Sequence, residues 1–246
     1  MQKNFKNKKI LITGGAGFLG QSLIKKLKKI GCKNLYIANH KKYDLVSETD
    51  VKRLFKNFKP NIVFHLAASV GGIGINKLSP GKFFYENSLM NLFTIHHSYL
   101  NKVEKVISTG TVSSYPKNTS LPFEEKNIWD GYPEEINASY GIAKRIVHTH
   151  SLSYFKQYNF KSHLLLLTNL YGPNDNFNPK SSHVTASLIK KFYEGKIKNK
   201  KFVEVWGDGK ATRDFCYIDD IVEGLILTAK KYKKTEPLNL GSGKEI

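Results

Sequence analysis

Three glycines at a spacing of three, Gly14, Gly17 and Gly20, restrict the folding of this chain more than any other feature. They follow Lys8 to Thr13 (KKILIT), an apolar, β-branched run that reads as a short buried strand. They open a stretch from about Gly17 to Ile30 in which Phe18, Leu19, Leu23, Ile24, Leu27 and Ile30 recur at helical spacing, with lysines on the other face. Gly31 closes that helix. A strand, a tight glycine turn and a helix in this order form a phosphate-binding unit. The first glycine makes the turn, the second lets the backbone touch a pyrophosphate, and the third lets helix and strand pack closely. A glycine motif alone is a weak signal; the strand before it and the helix after it strengthen this one. Gly14, Gly17, Phe18, Leu19 and Gly20 are therefore candidate contacts to a dinucleotide.

The alternation continues along the chain. Asn34 to Ala38 and Asn61 to Leu66 read as strands around a helix from Ser47 to Phe58, which ends before Pro60. Phe83 to Leu100 reads as a long helix, Lys105 to Ser108 as a strand, Ala138 to Tyr158 as a second long helix and His163 to Thr168 as a strand. Apolar strands alternating with helices predict an α/β fold, a Rossmann-type doubly wound parallel sheet covered on both faces. After Thr168 the pattern loosens. Asn169 to Ser182 is expected to be mostly loop, Val184 to Tyr193 a helix, Phe202 to Trp206 a short strand and Tyr217 to Lys231 a helix with an acidic first turn. The division expected is a dinucleotide-binding domain over 1–170 and a smaller, partial domain over 171–246, with 205–246 in part returning to the first. The chain ends at Ile246 just after what reads as a strand and turn, so the second domain looks truncated.

The end of the second strand selects the cofactor. An acidic residue there accepts from the adenosine ribose and repels a 2′-phosphate. This chain has Ala38-Asn39-His40-Lys41-Lys42, with no acid, and His40 and Lys41 can meet a phosphate dianion. NADP(H) is favoured over NAD(H), although these lysines also belong to a global excess. Asp44 and Leu45 fall where the adenine would lie.

Tyr140-Gly-Ile-Ala-Lys144 places a phenol and an ammonium one helical turn apart on one face. A free phenol has a pKa of about 10, and a neighbouring ammonium stabilises its phenolate. Such a tyrosine can act as general acid toward a developing alkoxide. The pair alone is common; its position after a glycine loop and several α/β units gives it weight.

The net charge of +19 raises nucleic-acid binding as an alternative. The charge is nearly all lysine, however, and the only arginines are Arg53, Arg145 and Arg213. The lysines are scattered rather than clustered, which suits a solvated surface and a field attractive to anionic nucleotides. No nucleic-acid partner is expected. The longest apolar run, Leu164 to Leu167, is far too short for a membrane span, and the N-terminus lacks the pattern of a signal peptide. Cys32 and Cys216 form no ligand-like motif. No metal is expected, and a cytoplasmic location is the default.

Several blocks together resemble the extended short-chain dehydrogenase/reductases, and within them the GDP-L-fucose synthases. They are His65-Leu-Ala-Ala-Ser-Val-Gly-Gly-Ile73, Tyr115-Pro-Lys117, Tyr140 to Lys144, Thr168 to Pro179 (TNLYGPNDNFNP) with Ser182-His-Val184, Val205 to Gly209, and Arg213-Asp-Phe215 followed by Asp219-Asp220. The resemblance runs from about Lys8 to Gly243. It implies an NADPH-dependent reductase of a GDP-4-keto sugar, with Tyr140 as proton donor, Lys144 as its partner and Thr111 as the hydroxyl that holds the keto oxygen. It also places Ala67, Ala68 and Asn87 at the cofactor, with Tyr140 and Lys144. Asn169, His183, Lys191, Trp206 and Arg213 fall to the sugar and its nucleotide. A homodimer through the two long helices is implied as well, and His65 reads as a strand-end residue beside the cofactor.

Fucose synthases also epimerise C3 and C5 with a cysteine and a histidine. His183 is present here, but Ser113 stands where the resemblance requires the cysteine. A thiol of pKa about 8.5 exchanges protons near neutrality, and a serine hydroxyl does not. The expectation is a C4 reductase that epimerises poorly or not at all. A bifunctional 3,5-epimerase/4-reductase and a non-catalytic dinucleotide-binding protein are the alternatives. The sequence leaves open a 6-deoxyhexose or a heptose, and a truncated second domain is expected to bind GDP-sugar weakly.

Overall fold

The computed structural model describes residues 5–71, 77–178, 182–205 and 207–246. Eight strands and six helices organise them: β1 (Ile10–Thr13), α1 (Phe18–Lys29), β2 (Leu35–Ile37), α2 (Glu48–Phe58), β3 (Ile62–His65), α3 (Pro80–Leu100), β4 (Lys105–Thr111), α4 (Glu135–Tyr158), β5 (Ser162–Leu167), β6 (Asn169–Tyr171), α5 (Val184–Ile197), β7 (Phe215–Tyr217), α6 (Ile218–Lys231) and β8 (Leu238–Leu240). Two short 3-10 turns, Val112–Ser114 and Glu125–Trp129, lie between β4 and α4. The main sheet is wholly parallel in the order β2-β1-β3-β4-β5-β8. The order reverses at β1, so a crevice opens beyond the ends of β1 and β3, where such sheets bind ligands.

The strands are apolar on both sides because both faces are covered. Ile10, Ile12, Phe64, Ile107 and Leu165 point to one face, where Leu23 and Leu27 of α1 and Ile221 and Leu225 of α6 cover them. The alternate residues Leu11, Val63, Val106, Leu164 and Leu166 point to the other, against Leu54 and Phe55 of α2, Ile95 of α3 and Val147 of α4. Period-two alternation thus serves two cores at once. The Lys26–Glu223 ion pair ties α1 to α6 on the surface.

The observed elements keep to the expected order, with shifted ends. Ser47 caps α2, its side chain accepting from Asp50 N, and Gly31 takes φ +89° after α1. The described part of 169–182 is mostly loop, as expected, but its first three residues, Asn169–Tyr171, pair in parallel with Phe215–Tyr217 as a second, two-stranded sheet. That partner lies some 45 residues away, so no local signal announces it. Phe202–Val205 is not a strand but irregular backbone, and Phe202 is 82% exposed. Among the described residues no strand lies alongside it, so no ladder forms and its backbone stays open to water. Trp206 lies outside the described residues.

Candidate active site

The glycine loop is built on contacts that admit no side chain. Gly14 has φ +68°, and a β-carbon there would lie 2.7 Å from Ala67 N. One on Gly20 would lie 2.3 Å from Gly14 O. The backbone therefore turns tightly beside the segment that leaves β3. Gly17 N donates to Gly14 O at 3.1 Å and Gly17 caps α1 without a side chain. No acidic residue stands in the first turn of α1. Amides at a helix N-terminus with no competing carboxylate suit a pyrophosphate. Gly14, Phe18 and Leu19 are half-buried here, and Gly17 is exposed.

Beyond β2, His40, Lys41 and Lys42 are all exposed. Lys41 N donates to Asn39 Oδ1, and Arg53 Nη2 donates to Lys42 O at 2.7 Å while its guanidinium lies over the Tyr43 ring. Arg53, which the sequence reading passed over, stiffens this basic segment from α2. Asp44 is half-buried, its Oδ1 accepting from Val46 N, and Leu45 is buried.

Tyr140 and Lys144 sit on α4. Lys144 is 1% exposed, and its Nζ has no hydrogen-bond partner among the described residues. Burial pulls its pKa down from 10.5 to about 8. Nζ lies 5.7 Å from the Tyr140 ring centroid. Tyr140 is half-buried, and burial raises its phenol above the ordinary value, so the free site holds it protonated. A buried ammonium without a partner is costly. Its three donors fit the ribose hydroxyls of a dinucleotide, and the glycine cradle fits the pyrophosphate, so the residues present match an NADP(H) cofactor.

Gly141, between the pair, lets α4 approach the turn after β4. A β-carbon at Gly141 would meet Ser113 O at 2.6 Å. Ser114 Oγ donates to Gly141 O at 3.2 Å, and Arg145 Nε donates to Ser114 O at 2.6 Å. Thr111 ends β4, half-buried, and its Oγ1 accepts from Ser113 N at 3.2 Å. Thr111 and Ser113 are thus fastened against the helix that carries Tyr140. Arg145, buried and bonded also to Gly131 O, was not singled out in the sequence.

Other expected residues take varied positions. Ala67 and Ala68 are half-buried where the chain leaves β3. Asn87 is buried and clamps that same segment: its Oδ1 accepts from Ser69 N, and its Nδ2 donates to Ser69 O and Phe83 O. Asn169 Nδ2 donates to Asp214 O, which sets Asn169 next to the strand led by Arg213. Arg213 is exposed, its guanidinium donating to Thr212 O. His183 is exposed at the N-terminus of α5. Lys191 donates to Glu204 O at 3.3 Å and lines a cleft of about 570 Å³ with Lys200, Lys201 and Phe202. Asp214, not anticipated, receives Ser242 N and Oγ on Oδ1 and Gly243 N on Oδ2, fastening the turn after β8. Among the described residues no group of histidine, cysteine and carboxylate could hold a metal. None of the described helices is long and apolar enough to cross a membrane.

Residues 10–241 match the model of the NAD dependent epimerase/dehydratase family. The chain belongs to that family. A GDP-L-fucose synthase of Sinorhizobium fredii is 37% identical over 239 residues, 97% of this chain and 76% of its own length. Among solved structures, a GDP-D-glycero-L-gluco-heptose synthase of Campylobacter jejuni, determined in the presence of NADPH, matches with TM-score 0.91 and 31% identity, covering 98% of this chain and 82% of that one. A GDP-mannoheptose C4 reductase from the same organism, with NADP bound, matches with TM-score 0.90 and 32% identity over the same shares.

Proposed function

We propose that the protein is an NADPH-dependent reductase that converts the C4 keto group of a GDP-4-keto sugar to an alcohol. The observation that carries this reading is Lys144: a buried, unpartnered ammonium beside the Tyr140 phenol, at the end of a sheet whose glycine loop fits a pyrophosphate. Its relatives act in nucleotide-sugar synthesis and reduction.

Gly14, Gly17 and the first amides of α1 would hold the pyrophosphate of NADPH, His40 and Lys41 would meet its 2′-phosphate, and Lys144 would donate to its ribose. So held, the cofactor would supply a hydride, one proton with two electrons, for the sugar C4. Thr111 donates a hydrogen bond to the keto oxygen, keeping its proton, and polarises the carbonyl. Tyr140 then delivers its proton to that oxygen as negative charge develops, and Lys144 stabilises the phenolate left behind. Asn169, at the end of the first domain over 1–170, and His183, Lys191 and Arg213, in a partial second domain over 171–246 of which 205–246 in part returns to the first, serve the sugar and GDP side; the same role falls to Trp206 by resemblance alone. The protein acts in the cytoplasm, as a homodimer through α3 and α4.

Ser113 supports reduction without efficient C3/C5 epimerisation. Its half-buried hydroxyl has no histidine, lysine or carboxylate bonded to it among the described residues, so its acidity stays low. The deciding experiment combines the purified protein, NADPH and GDP-4-keto-6-deoxymannose, with the product identified by NMR. C4 reduction with D-manno stereochemistry kept at C3 and C5 is expected. Failure to oxidise NADPH with this substrate and with GDP-4-keto-heptoses would overturn the reading.

A further inference from the structure

A chain of buried hydrogen bonds crosses the molecule from the glycine loop's strand to the catalytic helix. Thr13, the last residue of β1, accepts from Ala67 N through Oγ1 at 3.2 Å. The same Oγ1 lies 2.8 Å from His65 Nδ1, at the end of β3. His65 Nε2 lies 3.0 Å from Asn91 Oδ1, on α3. Asn91 Nδ2 donates to Ala143 O, on α4, at 3.0 Å. Thr13 and His65 are fully buried and Asn91 is 1% exposed.

The directions of these bonds are determined from the far end. Ala143 O can only accept, so the Asn91 amide nitrogen faces it and Oδ1 faces the imidazole. His65 Nε2 must then carry the proton. Burial and the nearby Lys144 charge hold the His65 pKa down at about 3, so the ring is neutral and Nδ1 is bare. Thr13 donates to Nδ1 while accepting from Ala67. Each of these bonds then runs from a donor to an acceptor, and one tautomer alone satisfies the set.

The two ends of the chain matter. Ala67 N is the atom against which Gly14 turns. Ala143 is adjacent to Lys144 and less than one turn from Tyr140. We infer that His65, locked as its neutral Nε2–H tautomer between Thr13 and Asn91, is a positioning residue that sets the register of Tyr140 and Lys144 against the cofactor crevice. This rests on the reductase reading above. A fixed neutral ring also puts no second positive charge beside the Lys144 ammonium.

The test uses the full chain. Imidazole 15N shifts of the wild-type protein are expected to show His65 protonated on Nε2 alone from pH 5 to 8. Thr13→Val removes the hydroxyl at nearly constant shape, and Asn91→Asp removes the donor to Ala143 O. Each is expected to raise the Kd for NADPH and to lower kcat by about tenfold or more, the cost of misplaced reacting groups, with the KM for the sugar within about twofold. Thr13→Ser, which keeps the hydroxyl, is expected to restore both. A His65 protonated on Nδ1, or one titrating in that range, overturns the inference, even where a variant fails to fold. So do NADPH affinities and kcat values within about twofold of wild type in both variants. A wild-type protein that binds NADPH but reduces no GDP-4-keto sugar counts against the reductase reading, and the relay is then judged by tautomer and NADPH affinity.

Discussion

Gly141 lies so close to Ser113 that a β-carbon on it would stand 2.6 Å from the Ser113 carbonyl oxygen. Helix α4 is seated on the β4 turn by this absence of a side chain. Gly141→Ala is therefore expected to displace α4, costing about 1–3 kcal/mol of stability as an overpacked contact. Because Tyr140 and Thr111 then separate, kcat should drop by about tenfold to a hundredfold. Thermal denaturation and steady-state NADPH oxidation measure the two effects.

In the proposed reaction Lys144 serves the chemistry at the expense of stability. Its pKa of about 8 in the fold, against 10.5 for the free side chain, corresponds to about 3 kcal/mol of disfavoured charge below pH 8. Lys144→Met should stabilise the cofactor-free protein by up to about that amount and cut NADPH oxidation by about 100-fold or more. Urea unfolding of both proteins at pH 7 checks the sign; a destabilised variant would count against a buried, unpartnered ammonium.

The same group sets a pH window. The folded chain releases the Lys144 proton near pH 8 while the unfolded chain keeps it to about pH 10.5. The unfolded state then binds more protons between these values, so this group's penalty is relieved as pH rises through them. Activity moves the other way. The kcat/KM for reduction should fall as pH rises through about 8, because neutral Lys144 no longer supports the Tyr140 phenolate. A pH profile of kcat/KM reports it directly.

Under the proposed function, the exposed His40 and Lys41 carry the cofactor preference. Lys41→Glu puts a carboxylate where the 2′-phosphate would lie and should raise the KM for NADPH on the order of tenfold, with NADH little affected. Comparison of the two cofactors in one assay isolates the 2′-phosphate.

Ser113 bears on epimerisation. In D2O without NADPH, the wild-type protein should incorporate little deuterium at C3 or C5 of the keto sugar. Ser113→Cys should increase the exchange, since a thiol titrates near neutrality. Rapid wild-type exchange that disappears in His183→Ala would assign the epimerase activity to this chain.

The local half of the structure was readable in the residues. The Gly14–Gly20 loop, the Tyr140/Lys144 pair and the buried strands announce themselves through spacing and periodicity confined to short windows. What escaped depends on distant partners. β6 exists because Phe215–Tyr217 pairs with it, and Phe202–Val205 is no strand because nothing among the described residues pairs with it. Thr13, Asn91 and Asp214 look like ordinary polar residues until the fold brings Ala67, Ala143 and the Ser242–Gly243 turn within bonding distance. Arg53 and Arg145 were noticed only as part of the charge count.

The sheet closes late in synthesis. β8 pairs with β5, whose Leu165–Leu167 precede Leu238–Leu240 by about 70 residues, a long loop to close. On the ribosome the β5 edge thus emerges with its backbone groups unpaired and stays so until β8 leaves the exit tunnel, which leaves an apolar edge open to other chains meanwhile. Growth temperature and chaperone supply should accordingly govern the yield of folded protein more than its final stability does.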